Sequence, residues 1–112
     1  MRRVEGTLLN IHRAGSLALQ FAEGVTDERA FARDSKTRSA VLHQLLVMGE
    51  AVKRLPGSFR QEHPAVPWRQ IAGLRDVLIH AYDDIDDAEV WRVLIRDLPR
   101  VLREIEPLLP RP

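Results

Sequence analysis

Three polar side chains with complementary chemistry lie close together in the second half of the chain. Arg75, His80 and Tyr82 form an R-x4-H-x-Y string within an otherwise apolar helical pattern. Arginine can bind a phosphate group through two parallel hydrogen bonds, and histidine can move protons near neutral pH. A fixed cation, a titratable base and a phenol in one short segment therefore indicate phosphodiester chemistry.

The spacing of these residues determines which of them can meet on one helix. Residues of an α-helix turn by about 100° each, so Arg75 and Tyr82 lie within about 20° of each other, whereas His80 lies about 140° from Arg75. Two arrangements resolve this mismatch. The helix loosens around His80, or a second copy of the chain faces the first and completes the site. We favour the second arrangement.

Asp76 lies four residues before His80, on the same side of the predicted helix. At this spacing its carboxylate can hydrogen-bond the imidazole, orient its tautomer and favour its protonated form. We therefore predict that Asp76 supports His80. Arg75 and His80 are the candidate catalytic residues, and Asp76 and Tyr82 are the candidate supporting residues.

A two-fold dimer would bring two histidines and two arginines into one groove, which suits RNA cleavage. One imidazole would take the proton of a ribose 2′-hydroxyl, the other would protonate the departing 5′-oxygen, and the arginines would stabilise the charge of the transition state. This route requires no metal, and it excludes DNA because DNA lacks the 2′-hydroxyl. Tyr82 could stack on a base or bind phosphate.

The competing structural interpretation is that Arg75 and Asp76 form surface ion pairs, His80 caps a helix and Tyr82 packs with its polar tip outward.

Composition indicates one soluble globular domain. The chain has 112 residues, of which 45 % are hydrophobic and 29 % are charged. It contains no cysteine, which excludes disulfides and thiolate zinc sites. It also contains no long unbroken apolar run, so we expect neither a signal peptide nor a membrane span, and a cytoplasmic location.

The net charge of +1 is too small for a protein that coats nucleic acid by bulk electrostatics. Any contact with RNA must therefore be local. The best local candidates are Lys53, Arg54, Arg60, Arg69 and Arg75, which cluster around the proline-rich connection (Pro56 to Pro67) before the end of the string. We interpret all of them except Arg75 as parts of a solvated face.

Apolar residues recur at a spacing of three to four along almost the whole chain, which predicts an all-α fold. We expect an antiparallel bundle of about four to five helices forming a single domain over residues 1–112, with a frayed tail from about 107. The predicted helices run from about Val4 to Glu23, from Thr26 or Asp27 to Ala32, from Asp34 or Ser35 to about Leu55, from near Pro67 and Trp68 through the string, and from Asp86 onward. Gly24 should end the first helix, and Pro99 should bend or split the last one.

Longer stretches around the string resemble the HEPN superfamily, in particular its HepT-like toxins. Val47 to Pro56 (VMGEAVKRLP) and His63 to Asp76 (HPAVPWRQIAGLRD) follow the sequence of that family in order, and so does Asp86 to Pro99. The resemblance extends from about Asp34 to Ile105. The segment before it agrees mainly in its helical pattern.

The resemblance implies an α-helical bundle, a homodimer and a metal-independent ribonuclease without a cofactor. Arg75 and His80 match the catalytic pair of the family, Asp76 occupies the polar position after the arginine, and Tyr82 matches the terminal tyrosine. The resemblance further implies a type VII toxin–antitoxin pair, in which the partner is a cognate minimal nucleotidyltransferase. In some such pairs the antitoxin silences the toxin by transferring AMP to the motif tyrosine, so Tyr82 would be the acceptor.

A second class of function stays open on the sequence. The chain could be a non-catalytic helical module that binds RNA, a nucleotide or the nucleotidyltransferase through the same groove. Such a module would bind without turnover, whereas a ribonuclease would lose its cleavage when His80 is replaced by alanine.

The four aspartates between residues 83 and 87 do not predict a metal site. A calcium loop that begins at either of the first two would need glutamate at its twelfth position, where Leu94 and Ile95 stand. Helix capping and solubility explain these acids better. Glu50 follows an apolar stretch and could pair with an arginine or face water, so we leave it out of the predicted site.

Overall fold

The computed structural model describes residues 2–80 and 84–110, except for the side chain of Arg2. Within these residues the chain forms seven α-helices and no strand, which confirms the all-α prediction. The helices are α1 (Arg2–Phe21), α2 (Glu28–Arg33), α3 (Ser35–Lys53), α4 (Gly57–Glu62), α5 (Trp68–His80), α6 (Asp87–Arg92) and α7 (Leu98–Ile105). A π-helical turn (Val93–Asp97) joins α6 to α7, and a 3-10 turn (Glu106–Leu108) follows α7.

Helix starts and stops are encoded by local side chains, as the sequence predicts. Asp27 caps α2 by accepting a hydrogen bond of 2.8 Å from the backbone amide three residues later. Asp34 caps α3 in the same way at 3.1 Å, and Asp86 caps α6 at 3.0 Å from the amide two residues later. Gly24 has a φ of +87°, a conformation that other residues rarely adopt, and it lies in the turn that follows α1.

The proline-rich connection contains a short helix that the sequence does not predict. α4 fits into the six residues between Pro56 and His63, where a proline-free stretch is long enough for little more than one turn. The Phe59 ring lies 4.6 Å from the His63 ring and 6.1 Å from the Trp68 ring, measured between centroids. These contacts hold the connection against the start of α5.

α3 is the central helix of the bundle. α1 and α5 pack along it, α7 packs on α1, and α2 contacts both α3 and α6. An apolar face of α3 with helical spacing is buried, and it includes Val41, Leu45, Met48 and Val52. Burial of this face stabilises the bundle, because each fully buried aliphatic side chain contributes about 1.5 to 3 kcal/mol.

The last helical region is interrupted before Pro99, which confirms the predicted bend or split. The Leu98 amide donates to the Val93 carbonyl, five residues earlier, so the turn is wider than an α-helical turn. A proline ring collides with the carbonyl four residues before it in a regular helix, and the wider turn accommodates this ring. Ile95 lies on the outside of this turn and is 58 % exposed.

Past Ile105 the chain stays close to the bundle. The sequence predicts fraying from about residue 107, whereas Leu108 and Leu109 pack against the core. Among the helices in residues 2–80 and 84–110, none is long and apolar enough to cross a membrane.

Candidate active site

α5 carries the predicted catalytic residues, and its buried face determines where they lie. Trp68, Ile71 and Leu78 are buried on this face. The Trp68 indole N–H donates to the His63 carbonyl at 2.9 Å, which fixes the first turn of the helix. Arg75 lies one turn after Ile71, so its side chain starts on the side of α5 that faces α3.

Gly49 on α3 allows this part of α5 to come close. A Cβ atom at position 49 would lie 2.7 Å from the Cβ of Arg75 and 2.8 Å from the carbonyl oxygen of Ile71. Real Cβ atoms do not approach other atoms so closely, so only glycine fits without a shift of the helices. The close approach brings Arg75 next to the residue that follows Gly49, which is Glu50.

Arg75 lies between two carboxylates. Its Nε is 2.7 Å from Glu50 Oε2, and its Nη1 donates to Asp76 Oδ1 at 3.1 Å. The Nε atom is shielded from solvent and its N–H is not aligned with the Glu50 oxygen, so this contact is an ion pair rather than a good hydrogen bond. The hydrogen bond from Arg75 to Asp76, together with the charge of Glu50, raises the pKa of Arg75 above its usual value, although burial opposes the shift. Arg75 is therefore a fixed, half-buried cation.

Asp76 does not pair with His80, which corrects the sequence prediction. Lys53 Nζ donates to Asp76 Oδ1 at 2.7 Å, and Arg75 donates to the same oxygen. Hydrogen bonds from Lys53 first, and then from Arg75, lower the pKa of Asp76. The carboxylate turns toward these cations because they offer charged donors at the seam between α3 and α5. Asp76 therefore orients Arg75 rather than His80.

His80 is exposed and is the last residue of α5 that the structure describes. α5 is a regular α-helix up to this residue, so loosening of the helix before His80 does not bring it to Arg75. The imidazole thus lies on the solvent side of α5, and the guanidinium lies in the seam with α3. Tyr82 and Asp83 lie outside the described residues.

Two apolar side chains flank His80 on the outside of α5. Val77 is 58 % exposed and Ile79 is 41 % exposed. Val77 and Ile79 lie three residues and one residue before His80, so the exposed part of α5 around His80 is partly apolar.

The chain on either side of residues 81–83 is anchored to α3. Leu78 and Ile85 line one small cavity together with Leu42. Arg38 Nε donates to Asp87 Oδ1 at 2.6 Å, with both side chains about three-quarters buried, at 24 % and 25 % exposure. The start of α6 is therefore held next to α3, at the end of the bundle that carries His80.

The structure adds Glu50, Lys53 and Gly49 to the site that the sequence predicts. Gly49 is the one of these three that a sequence pattern indicates, because a glycine inside an apolar helical pattern indicates a close approach of backbones. The partners of Glu50 and Lys53 depend on the alignment of α3 with α5, which periodicity alone does not determine. In the described part of the chain, no group of three or more metal-ligating side chains comes together.

The bundle and the R-x4-H string on α5 have the form of a HEPN helical bundle. Residues 11–108 match the family described as ribonuclease HepT-like. The chain therefore belongs to the HepT-like ribonuclease family of the HEPN superfamily.

Similar proteins carry ribonuclease names. The chain is 38 % identical over 94 residues to the "Probable ribonuclease HepT" of Thermococcus cleftensis, an alignment that covers 81 % of this chain and 86 % of that protein. It is 32 % identical over 105 residues to the "Putative RNase MJ1380" of Methanocaldococcus jannaschii, covering 94 % of this chain and 95 % of that protein. It is 44 % identical over 79 residues to the "Putative RNase MJ0127" of the same organism, covering 70 % of this chain and 65 % of that protein. No solved structure matches the chain.

Proposed function

We propose that the protein is a metal-independent endoribonuclease that uses Arg75 and His80 in a groove between two copies of the chain. The arrangement of these two residues on α5 carries the proposal. Arg75 is held in the seam with α3 by Glu50 and Asp76, whereas His80 is exposed. One protomer thus presents a fixed cation and a free imidazole on different sides of one helix, and a second protomer can bring the missing groups to each side.

The cleavage step follows from the chemistry of the two side chains. One His80 accepts the proton of a ribose 2′-hydroxyl as its oxygen attacks the adjacent phosphorus, and the other His80 donates a proton to the departing 5′-oxygen. The products are a 2′,3′-cyclic phosphate and a 5′-hydroxyl. Arg75 stabilises the negative charge that develops on the non-bridging oxygens.

The ion pairs of Arg75 leave it able to bind phosphate. A guanidinium has five N–H donors. In Arg75 the Nε faces Glu50 and one Nη1 hydrogen faces Asp76, so the other donors remain for an incoming phosphate. The two carboxylates fix the plane of the group, and Lys53 offsets part of their negative charge by binding Asp76. Pre-organisation of this kind avoids reorganisation in the transition state.

The toxin–antitoxin role extends this proposal. We propose that the protein is the toxin of a type VII pair and that a minimal nucleotidyltransferase neutralises it by transferring AMP to Tyr82. Tyr82 follows His80 by two residues in the sequence. An adenylyl group there would add bulk and a negative phosphate beside the groups that bind RNA, and it would oppose binding of an anionic substrate. Membership of the HepT-like family supports the proposal.

The decisive experiment compares purified wild-type protein with His80→Ala on mixed RNAs in the presence of a chelator. His12→Ala is the matched control, because it removes a histidine from α1, a helix that packs on α3 and α7. We expect wild type and the control to cut RNA and leave cyclic phosphate ends, and the His80 variant to lose about 10²-fold or more in rate. Mass spectrometry of the purified protein first establishes that Tyr82 is unmodified.

Two results would contradict the mechanism. Cleavage that stops in chelator and returns with a divalent metal would show that acid–base chemistry alone is insufficient. Equal cleavage by wild type and the His80 variant would remove this residue from the reaction. RNA binding without turnover by unmodified wild type would instead favour the non-catalytic helical module.

A further inference from the structure

A second basic site lies at the opposite end of α5 from His80. An open depression of about 470 Å³ is bounded by α4, the proline-rich connection and the first turn of α5. Among the residues that the structure describes, the polar side chains that line it are Arg60, Gln61, Arg69 and Gln70, and none of them is a carboxylate. An anion in this depression would meet two guanidinium groups and no like charge.

Both arginines are free to bind a ligand. Among the described residues, Arg60 and Arg69 take part in no ion pair, in contrast to Arg75 with its two carboxylates. The Nε atom of Arg60 is shielded from solvent and has no hydrogen-bond partner. Buried donors without partners are uncommon in folded proteins because their desolvation is not compensated. An anion that binds the rest of this guanidinium would compensate part of that loss.

The backbone at the start of α5 adds further donors. The Trp68 amide donates to the Val66 carbonyl at 2.8 Å, and the first regular helical bond is from Ile71 to Pro67 at 3.1 Å. The amides of Arg69 and Gln70 lie between these two and have no backbone acceptor within the described part of the chain. Free amides in the first turn of a helix favour an anion, and the helix dipole adds to this preference.

The depression and His80 are connected along one side of α5. Arg69 and His80 are eleven residues apart, so they lie within about 20° of each other and about 16 Å apart along the helix axis. Gly73 lies between them, and a Cβ there would meet no atom within 4 Å. Asp76 lies next to this path, but Lys53 and Arg75 both bind its carboxylate. Between Arg69 and His80 the described residues of α5 thus leave the path open and place no unpaired negative charge on it.

We propose that the depression formed by Arg60 and Arg69 binds an internal phosphodiester of the RNA, a few nucleotides from the bond that is cut. The inference rests on the proposed function, since it takes the RNA held at His80 as its ligand. The site would bind the RNA backbone without reading bases, because guanidinium groups and helix amides contact phosphate oxygens. It would make longer RNAs better substrates than short ones.

The test measures RNA binding by the double variant R60Q/R69Q in a background that carries His80→Ala, so that no cleavage occurs. The control R29Q/R33Q removes the same number of charges from α2, where both arginines are exposed. Fluorescence anisotropy with a 5′-hydroxyl single-stranded RNA is recorded over a series of salt concentrations. For single strands the slope of log K against log salt is about −0.7 for each phosphate contact. We expect the double variant to lose about 0.7 or more of this slope and to bind several-fold more weakly, and the control to match its parent.

RNA length provides a second comparison. An RNA too short to span the distance of about 16 Å between His80 and the depression cannot occupy both at once, so the double variant should lose less affinity for it than for a long RNA. Arg69 is exposed, so the single variant R69Q retains the fold and should show the same length dependence with a smaller loss.

Three results would overturn the inference: an unchanged slope with long RNA, an equal loss for short and long RNA, or a loss confined to 5′-phosphorylated RNA. None of these depends on cleavage. If wild type binds long RNA through the depression but does not cut RNA, the proposed ribonuclease function fails while the binding site stands.

Discussion

Replacement of Gly49 by alanine would test the packing that positions Arg75. The new methyl group would lie 2.7 Å from the Cβ of Arg75, 2.8 Å from the Ile71 carbonyl oxygen and 3.0 Å from the Arg75 amide nitrogen. Two of these three atoms belong to the backbone of α5, so no side chain can rotate away to relieve the contact. α5 must move away from α3, and Arg75 must move with it.

The expected destabilisation combines two opposing effects. Overpacking of a core costs about 1 to 3 kcal/mol. Alanine in place of glycine inside a helix returns about 0.5 to 1 kcal/mol. The backbone contacts place the overpacking near the upper end of its range, so Gly49→Ala should lower the free energy of unfolding by about 1 to 2 kcal/mol. At about 4 °C per kcal/mol, the melting temperature should fall by about 4 to 8 °C.

Gly6→Ala is the matched control. Gly6 also lies inside a helix, and a Cβ there would meet no atom within 4 Å. This variant should gain about 0.5 to 1 kcal/mol, so the two alanine variants should change stability in opposite directions. Urea unfolding followed by circular dichroism measures both changes. RNA cleavage by the folded fraction should fall in Gly49→Ala only, because Arg75 is displaced there. The reasoning is refuted if Gly49→Ala is as stable as Gly6→Ala.

Three further expectations concern charge, assembly and capping. Hydrogen bonds from Lys53 and Arg75 lower the pKa of Asp76 in the folded chain, so its carboxylate stabilises the fold above its unfolded-state pKa of about 3.9. This stabilisation is lost as the pH falls through the lower pKa of the folded chain. The difference in urea midpoint between wild type and Asp76→Asn should therefore shrink below about pH 4, and a constant difference would contradict this. If both copies of His80 act in one groove, a subunit-exchanged equal mixture of wild type with His80→Ala should retain about one quarter of the activity of undiluted wild type, whereas independent protomers would retain about one half. Asp86→Ala should lower the free energy of unfolding by about 1 kcal/mol through loss of the α6 cap, as measured by thermal melting, and an unchanged melting temperature would show that the cap is dispensable.

Local chemistry explains why the helix limits could be predicted. Asp27, Asp34 and Asp86 each cap the helix that follows them, and a cap depends on residues within three positions along the chain. The face of α3 could be predicted for the same reason, since it follows from a period of 3.6 residues. α4 was not predicted because helix propensity in so short a segment is weak, and its contacts come from Phe59 and Trp68.

The candidate site was only partly accessible from the sequence. The R-x4-H-x-Y string identifies Arg75 and His80 as candidate catalytic residues. Helical geometry correctly indicates that one regular helix does not bring them together. The expected bond between Asp76 and His80 was wrong because spacing along one helix ignores donors on the neighbouring helix, and Lys53 competes more strongly as a permanent cation. Glu50 could not be assigned before the alignment of α3 and α5 was known.

The π-helical turn between α6 and α7 has a consequence for how the chain tolerates changes in length. Val90 and Leu98 are both buried, although residues eight positions apart in a regular α-helix point about 80° away from each other. A π-helical turn absorbs one extra residue, which reduces this angle to about 20°. Deletion of one residue within Val93–Asp97 would therefore leave Val90 and Leu98 about 20° apart in a regular α-helix, so α6 and α7 could still both bury their apolar sides.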